Sequence, residues 1–416
     1  MFAIYVGQQK MTGTATREEI GHTDNARSGQ IHITENAAST RSERIEEIDG
    51  IRGWAALAVV IFHALPETFS KIHPELINSL WWFFIDGKLA VCIFFILSGD
   101  ALSTPFMVTR RKSVLDKMVL KRYFRLAAPI FIVALITVIV IRIGVTYNVT
   151  AAKLVHNEMW LGTLLPSQFG NLEIFQFSFV TVFHFGNGGQ DFNPFLWTMP
   201  IELIGSILVF MYLYVQDRLK KPILALILIT IFFAIADRWF AMFFIGVLLS
   251  YFRATGGLDR IRNRMTTRVG APLLVLVAYL IDSYFISHAP ITTSSGLKLL
   301  MLSLVQNNQK FIMAALCVVG AYASIDACRF FRNTLSRFLG EISFPIYLMQ
   351  LVVFCTLSSF MIDRFGRTLD DLKVCLIIAT LGVVFTIICG YFLSIVERYV
   401  MGMIDRVLST VMTKRT

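Results

Sequence analysis

The stretch EEIDGIRGWAALAVVIFHA, residues 46–64, combines a long apolar core with two polar side chains. From Trp54 to Phe62 it contains no charged residue, as a helix in lipid requires. Arg52 precedes this core and His63 follows it, although a lipid-spanning helix normally excludes both side chains. The spacing predicts that both project from nearly one face of a helix, about 16 Å apart along its axis.

The composition of the whole chain agrees with a membrane setting. Of its 416 residues, 56% are hydrophobic and 16% are charged, whereas soluble chains carry about 25% charged residues. The net charge of +10 could indicate nucleic acid, but the cations fall in short loops between apolar runs, as in membrane proteins. We therefore predict an all-α polytopic membrane protein whose partner is the lipid bilayer, and no nucleic acid.

Ten apolar runs predict about ten transmembrane helices. Lys and Arg concentrate in the loops on one side, which predicts that both termini are cytoplasmic. Residues 1–44 are polar, which predicts a disordered cytoplasmic tail. We expect residues 45–400 to form the membrane domain and residues 401–416 to form a second cytoplasmic tail. Within the domain, residues 144–194 predict a long external segment whose aromatic content favours an ordered lid or an interfacial helix. The ten runs lie near 51–66, 80–103, 123–143, 195–215, 222–236, 239–252, 270–286, 311–324, 338–362 and 374–396.

His63 and Arg52 are the first candidate site residues. A neutral imidazole deep in the membrane could act as a general base on a hydroxyl. The alternative is a histidine that only packs against a neighbouring helix, with Arg52 as a topology anchor.

Three further motifs place polar groups in or beside apolar runs. KRYFR puts Arg122 and Arg125 on one helix face, where two guanidiniums suit a diphosphate, although they could be ordinary loop cations. FLWTMPIELIGS contains Glu202, a lone carboxylate that needs a partner, with or without a chemical role. In VCIFFILSGDALSTPF, Ser98 and Gly99 permit a close helix approach or a helix break, or bind a ligand through the backbone; no GxSxG motif surrounds Ser98.

Other catalytic signatures are missing from the sequence. The six cysteines lie mostly in apolar runs and form no CxxC pair. The chain has no P-loop, no HExxH and no GxGxxG after a strand, which counts against an ATP-driven pump, a zinc protease and a dehydrogenase. No metal is expected.

Five motifs, in order, resemble the membrane-bound acyltransferase family 3, whose members O-acylate carbohydrates of bacterial envelopes. The first is DGIRG followed by His63, with arginine and histidine eleven positions apart, and the last is LGEISFPIYLMQ, residues 339–350. Between them stand DGKLAVCIFFILSG, KRYFRLAAP and LWTMPIELI.

The resemblance implies ten helices in a bacterial inner membrane, an acyl-CoA donor, expected to be acetyl-CoA, and a hydroxyl acceptor on a carbohydrate or lipid-linked glycan. It implies a catalytic role for His63 as base, with Arg52 and Glu202. It implies donor binding by Arg122, Arg125, Ser98 and Gly99. Envelope-assembly proteins are the expected protein partners.

The chain departs from the family pattern in two places. Gln350 stands where the family has a late histidine, and Asp100 replaces an apolar residue after Ser-Gly. A hydrogen-bonding role at position 350 survives this change.

Two other functions stay open at this point. The acceptor could be a lipid or a small hydrophobic metabolite. The chain could also be a proton-coupled secondary transporter, although we find no pair of related halves.

Overall fold

The computed structural model describes residues 46–77, 80–165, 170–186, 192–262, 265–287 and 297–411. The chain divides into the units Met1–Glu46 and Glu47–Thr416. The predicted tail over residues 1–44 lies outside the described residues. Across the described ranges the regular elements are all helices.

The first helix, α1, spans Glu46–Glu67, and its last turn, His63–Glu67, is π-helical. The remaining helices follow in chain order: α2 Gly87–Thr109, α3 Lys112–Ile143, α4 Asn148–Leu154, α5 Asn171–Phe179, α6 Met199–Val215, α7 Pro222–Ala236, α8 Arg238–Ala254, α9 Gly257–Arg262, α10 Met265–Ser287, α11 Leu297–Ala323, α12 Ile325–Phe331, α13 Thr334–Glu341, α14 Ser343–Val353, α15 Ser359–Arg364 and α16 Leu372–Val411.

Within these described ranges, six helices are long and apolar enough to cross a membrane. A seventh span would need the bent pair Asn308–Ala323 and Ile325–Phe331, whose axes differ by 95°. Each of the ten predicted runs overlaps one or more helices, but α7 has only 15 residues and α8 only 17. The protein is therefore an integral membrane protein of helices, and the count of about ten spans stays a prediction.

Several predicted boundaries differ from the structure for local reasons. The run near residue 80 is interrupted because Asp86 accepts a hydrogen bond from the backbone N–H of Leu89 at 2.7 Å and so begins α2. The run over 338–362 is divided among α13, α14 and α15, with a second π-helical turn at Phe354–Ser358. The predicted segment 144–194 contains α4, α5 and short 3₁₀ turns in its described parts.

The buried apolar side chains form two cores. One core joins α1, α3, α14, α16 and the segment 144–194, and the other joins α2, α6, α8 and α11. Side chains of both cores, such as Leu126 and Leu102, line a single cavity, which therefore lies where the two cores meet.

Candidate active site

A cavity of about 620 Å³ brings together five of the residues that the sequence analysis selected. Arg52 comes from α1, Ser98 from α2, Arg122 and Arg125 from α3, and Glu202 from α6. They are far apart in sequence, and only the meeting of these four helices makes them neighbours. We call this space the arginine cavity.

Glu202 is the centre of the polar contacts in the arginine cavity. Its carboxylate forms an ion pair with Arg122 and accepts a hydrogen bond from the hydroxyl of Ser98 at 2.7 Å. The Nε of Arg122 also donates to the hydroxyl of Ser206 at 2.8 Å. The lone carboxylate noted in the sequence thus has a cation and a hydroxyl as partners, as a buried charge requires.

The lining of the cavity is balanced in charge rather than basic. Its cations are Arg52, Lys121, Arg122, Arg125 and Arg398, and its carboxylates are Asp49, Glu202, Glu341, Glu397 and Asp405. Three of the cations form ion pairs with Glu202, Asp405 and Glu341.

Arg52 and Arg125 are the two cations without an ion pair of 3.5 Å or less. The Nε of Arg52 is buried without a hydrogen-bond partner, and its nearest carboxylate, Asp49, is 3.7 Å away. Arg125 has neither a hydrogen bond nor an ion pair within the described ranges. Two guanidiniums without a close ion-pair partner on one cavity can hold an anionic group such as a phosphate.

Gly99, which the family resemblance assigns to donor binding, lies where α2 crosses α8. A Cβ at Gly99 would meet the backbone of Phe243, with the Cα of Phe243 only 2.8 Å away. Gly246 of α8 is equally close to the backbone of α2. The small residues therefore allow the two helices to touch, as in other membrane helix pairs.

Asp100, the second departure from the family pattern, is fully buried, and its carboxylate accepts hydrogen bonds from Arg253, Tyr322 and Thr104. Both terminal nitrogens of Arg253 donate to its carboxylate, at 2.8 and 2.6 Å, and the hydroxyl of Tyr322 donates at 2.7 Å. This network connects α2, α8 and α11. The charged residue is accommodated because a second buried charge neutralises it.

His63 is not among the residues that line the arginine cavity. Its ring stacks on Phe195 with a centroid distance of 4.3 Å and faces Trp160 at 6.0 Å. The Nδ1 of His63 lies 2.5 Å from a carboxylate oxygen of Glu67, one turn further along the chain. A carboxylate on Nδ1 favours the tautomer in which that nitrogen carries the proton, which leaves Nε2 as a free base.

The π-helical turn that carries this pair has a sequence cause. Pro66 lies inside the turn and has no backbone N–H to donate to a preceding carbonyl. The backbone carbonyl of His63 also accepts a hydrogen bond from the hydroxyl of Thr68 at 2.6 Å, which ties the end of the turn to its start. The segment 144–194 supports the same turn, because the amide of Asn157 donates to the backbone carbonyl of Glu67 at 2.6 Å.

A short segment of the chain separates His63 from the arginine cavity. Thr198 and Tyr347 line the cavity, and their hydroxyls lie 3.0 Å apart. Tyr347 also donates to the backbone carbonyl of Phe195, whose ring contacts His63. The cavity and the imidazole thus lie on two sides of the segment Phe195–Thr198.

Sequence reasoning missed two parts of this arrangement. Glu67 was not selected, although its position four residues after His63 puts it on the same helix face. The network around Asp100 could not be found, because no pattern relates it to Arg253 and Tyr322. Among the described residues, no group of three or more His, Cys, Asp or Glu side chains is placed to hold a metal ion.

Comparison with known proteins agrees with this geometry. The O-acetyltransferase PaAT-1 of Phomopsis amygdali is 23% identical over an alignment 373 positions long, which covers 76% of this chain and 74% of that protein. No solved structure matches the chain. The family described as "Acyltransferase domain" matches residues 45–396, which include α1 with Arg52 and His63 and all of the arginine cavity lining except the last residues on α16, Glu397, Arg398, Met401 and Asp405. The chain therefore belongs to the membrane-bound acyltransferase family 3.

Proposed function

We propose that the protein transfers an acetyl group from acetyl-CoA to a hydroxyl of a carbohydrate, with His63 as the general base. One observation carries the proposal: the segment Phe195–Thr198 adjoins both the arginine cavity, through Thr198, and the oriented imidazole of His63, through the ring of Phe195. An acyl donor with a charged end and a distant reactive carbonyl fits such an arrangement.

The donor would bind with its phosphates against Arg52 and Arg125. These guanidiniums lack ion-pair partners at hydrogen-bond distance, and guanidiniums bind phosphates through paired hydrogen bonds. The acyl thioester, at the other end of a long pantetheine arm, would reach towards Thr198 and Tyr347. Acetyl rather than a longer acyl group is supported by the relative that is named an O-acetyltransferase.

In the proposed reaction, Nε2 of His63 takes the proton of the acceptor hydroxyl while the oxygen attacks the thioester carbonyl. The new C–O bond forms, the C–S bond breaks, and the sulfur leaves as a thiol with the proton that His63 held. Glu67 would stabilise the imidazolium that exists between the two proton transfers. General-base assistance of this kind contributes roughly 10²- to 10⁴-fold to a rate.

The acceptor is proposed to be a carbohydrate or a lipid-linked glycan. The polar and aromatic residues of the segment 144–194, which reaches the His63 turn through Asn157 and Trp160, support a site of this kind. A lipid or small hydrophobic metabolite is the second candidate. It is favoured by the aromatic surroundings of His63, which are Phe62, Trp160 and Phe195.

We further propose that the protein lies in a bacterial inner membrane with both termini in the cytoplasm, where envelope-assembly proteins would be its partners. The cavity end of the bundle would then face the cytoplasmic pool of acyl-CoA. The distribution of Lys and Arg among the loops supports this orientation.

The test uses the purified full chain in nanodiscs with radioactive acetyl-CoA. Acetyl-CoA should raise the melting temperature, and label should pass to an acceptor in a panel of glycosides and long-chain alcohols. His63→Ala should keep the thermal shift and abolish transfer. Transfer to alcohols alone would favour the hydrophobic acceptor. The absence of both the thermal shift and the transfer would refute the proposed function and leave the secondary transporter as the candidate.

A further inference from the structure

Gln350 is a fully buried amide without a hydrogen-bond partner. It lies on α14 with none of its surface exposed, and neither its Nε2 nor its Oε1 has a partner among the described residues. Leaving buried polar atoms unpaired costs about 1–3 kcal/mol. A side chain of this kind is therefore a candidate for contact with a bound molecule.

Its neighbours on α14 show which way this face of the helix is turned. Tyr347, one turn earlier, donates to the backbone carbonyl of Phe195, and Phe354, one turn later, meets the ring of Phe195 edge-on at 6.3 Å. Residues three before and four after a given position lie on the same side of a helix. Gln350 therefore lies on the side of α14 that is turned towards Phe195 and, beyond it, His63.

Helix α16 encloses the same region from another direction. A Cβ at Gly390 of α16 would lie 3.0 Å from the backbone nitrogen of Ile346, so the two helices touch one turn before Gln350. The His63–Glu67 turn also packs against α16. Phe195, α14, α16 and the His63 turn thus surround one region, and Gln350 is on its α14 side.

We propose that Gln350 is a catalytic residue whose amide N–H donates a hydrogen bond to the carbonyl oxygen of the acyl group under attack. This inference rests on the proposed acyl transfer. As the acceptor oxygen adds to the carbonyl, the C=O electron pair moves onto the oxygen, and the amide stabilises that developing negative charge. The pair returns when the C–S bond breaks and the sulfur takes the proton from His63.

A donor fixed in a site closed to water is the usual device for stabilising such an oxygen, and removal of one donor lowers kcat by roughly 10²- to 10³-fold. The amide suits the task because it is neutral and stays a donor at every pH. Because the amide of Gln350 is unpaired in the free protein, it is available to bind the acyl carbonyl.

The test compares Gln350→Met with Gln216→Met in the full chain in nanodiscs, using acetyl-CoA and the acceptor that the unmodified protein uses best. Gln216 is also buried and its Nε2 is also unpartnered, but it lies at the end of α6 outside the site. We expect Gln350→Met to lower kcat by roughly 10²-fold or more, with an unchanged KM for acetyl-CoA and no loss of melting temperature. Gln216→Met should leave kcat unchanged.

A second variant separates catalysis from folding. Gln350→His keeps an N–H donor and should retain more activity than Gln350→Met at equal melting temperature. Equal activity of the two variants, or a kcat of Gln350→Met within twofold of the unmodified protein, overturns the inference. If the unmodified protein itself transfers no acetyl group, the proposed function fails instead, so the two failures are distinct.

Discussion

Glu67 holds His63 from within the same helix: its carboxylate oxygen lies 2.5 Å from Nδ1, across one π-helical turn. The contact is local in sequence, and both side chains are largely buried, with 16% and 28% of their surfaces exposed. The polar contact that orients the imidazole therefore lies within one turn of α1.

Glu67→Gln should lower kcat by roughly 10- to 100-fold, because an amide holds the ring less firmly and does not stabilise an imidazolium. The measurement is the steady-state rate of acetyl transfer in nanodiscs. Glu158→Gln, a change of the same kind at an exposed position of the segment 144–194, serves as the control. An unaltered kcat in Glu67→Gln would mean that the pair has no part in the reaction.

Arg125→Ala should raise the KM for acetyl-CoA by roughly 10- to 100-fold, since a charge-assisted hydrogen bond contributes about 1.5–3 kcal/mol. Arg52→Lys should act in the same direction, because a single ammonium cannot form paired hydrogen bonds with a phosphate. Thermal stabilisation by acetyl-CoA should weaken in parallel. Arg364→Ala, an exposed arginine outside the cavity lining, should change neither quantity, and equal effects at all three positions would argue against the assignment.

Asp100→Asn should destabilise the protein by about 3–5 kcal/mol, because it leaves Arg253 as a buried charge without a counter-ion. The double variant Asp100→Leu, Arg253→Met should recover most of this loss, since neither charge remains. Thermal unfolding in detergent measures both. Asp326→Asn, which removes an exposed ion pair at 3.5 Å, is the matched control and should cost less than about 1 kcal/mol.

His73 should make stability depend on pH. Its Nε2 lies 2.8 Å from the carbonyl oxygen of Leu369 and its Nδ1 lies 3.0 Å from the carboxylate of Glu75. Burial lowers the pKa of His73, but these two hydrogen bonds and the charges of Glu75 and Asp370 outweigh it and raise the pKa above 6.5. Both ring nitrogens face acceptors, so the protonated ring fits the site best.

Because the pKa of His73 is raised on folding, its contribution is complete below about pH 6.5 and is lost as the pH rises through the raised value. The melting temperature should therefore fall between about pH 6 and pH 9, and the fall should be smaller in His73→Gln. His184→Gln, at an exposed position, should retain the full pH dependence. An identical profile in His73→Gln would contradict the prediction.

The sequence singled out five residues that line the arginine cavity, because a polar group in an apolar run is costly and therefore conspicuous. Arg52, Ser98, Arg122, Arg125 and Glu202 were found in this way, and the structure brings them to one space. Gly99 lies at a helix crossing, which the sequence analysis offered as one alternative, because a glycine that binds a ligand and one that permits a crossing look alike in sequence.

What the sequence could not supply were contacts between distant helices. Asp100 meets Arg253 across 153 positions, and nothing periodic connects them. The separation of His63 from the cavity could not be predicted either. It depends on the hydrogen bond from Tyr347 to the backbone carbonyl of Phe195 and on the ring of Phe195, which stacks on His63. The short lengths of α7 and α8 follow from Asp237, which caps α8 directly after α7 ends.

The π-helical turn at His63 has a consequence for the history of the chain. A π turn uses about one residue more than an α turn, so it equals the insertion of a single residue into an otherwise regular helix. Removal of one residue between His63 and Glu67 would restore the regular helix, leave the residues beyond it in register, and reduce the spacing of this pair from four residues to three. Homologues aligned through α1 should therefore differ by single-residue gaps at this turn. A gap there would mark a homologue in which the contact between the residues equivalent to His63 and Glu67 is changed or lost.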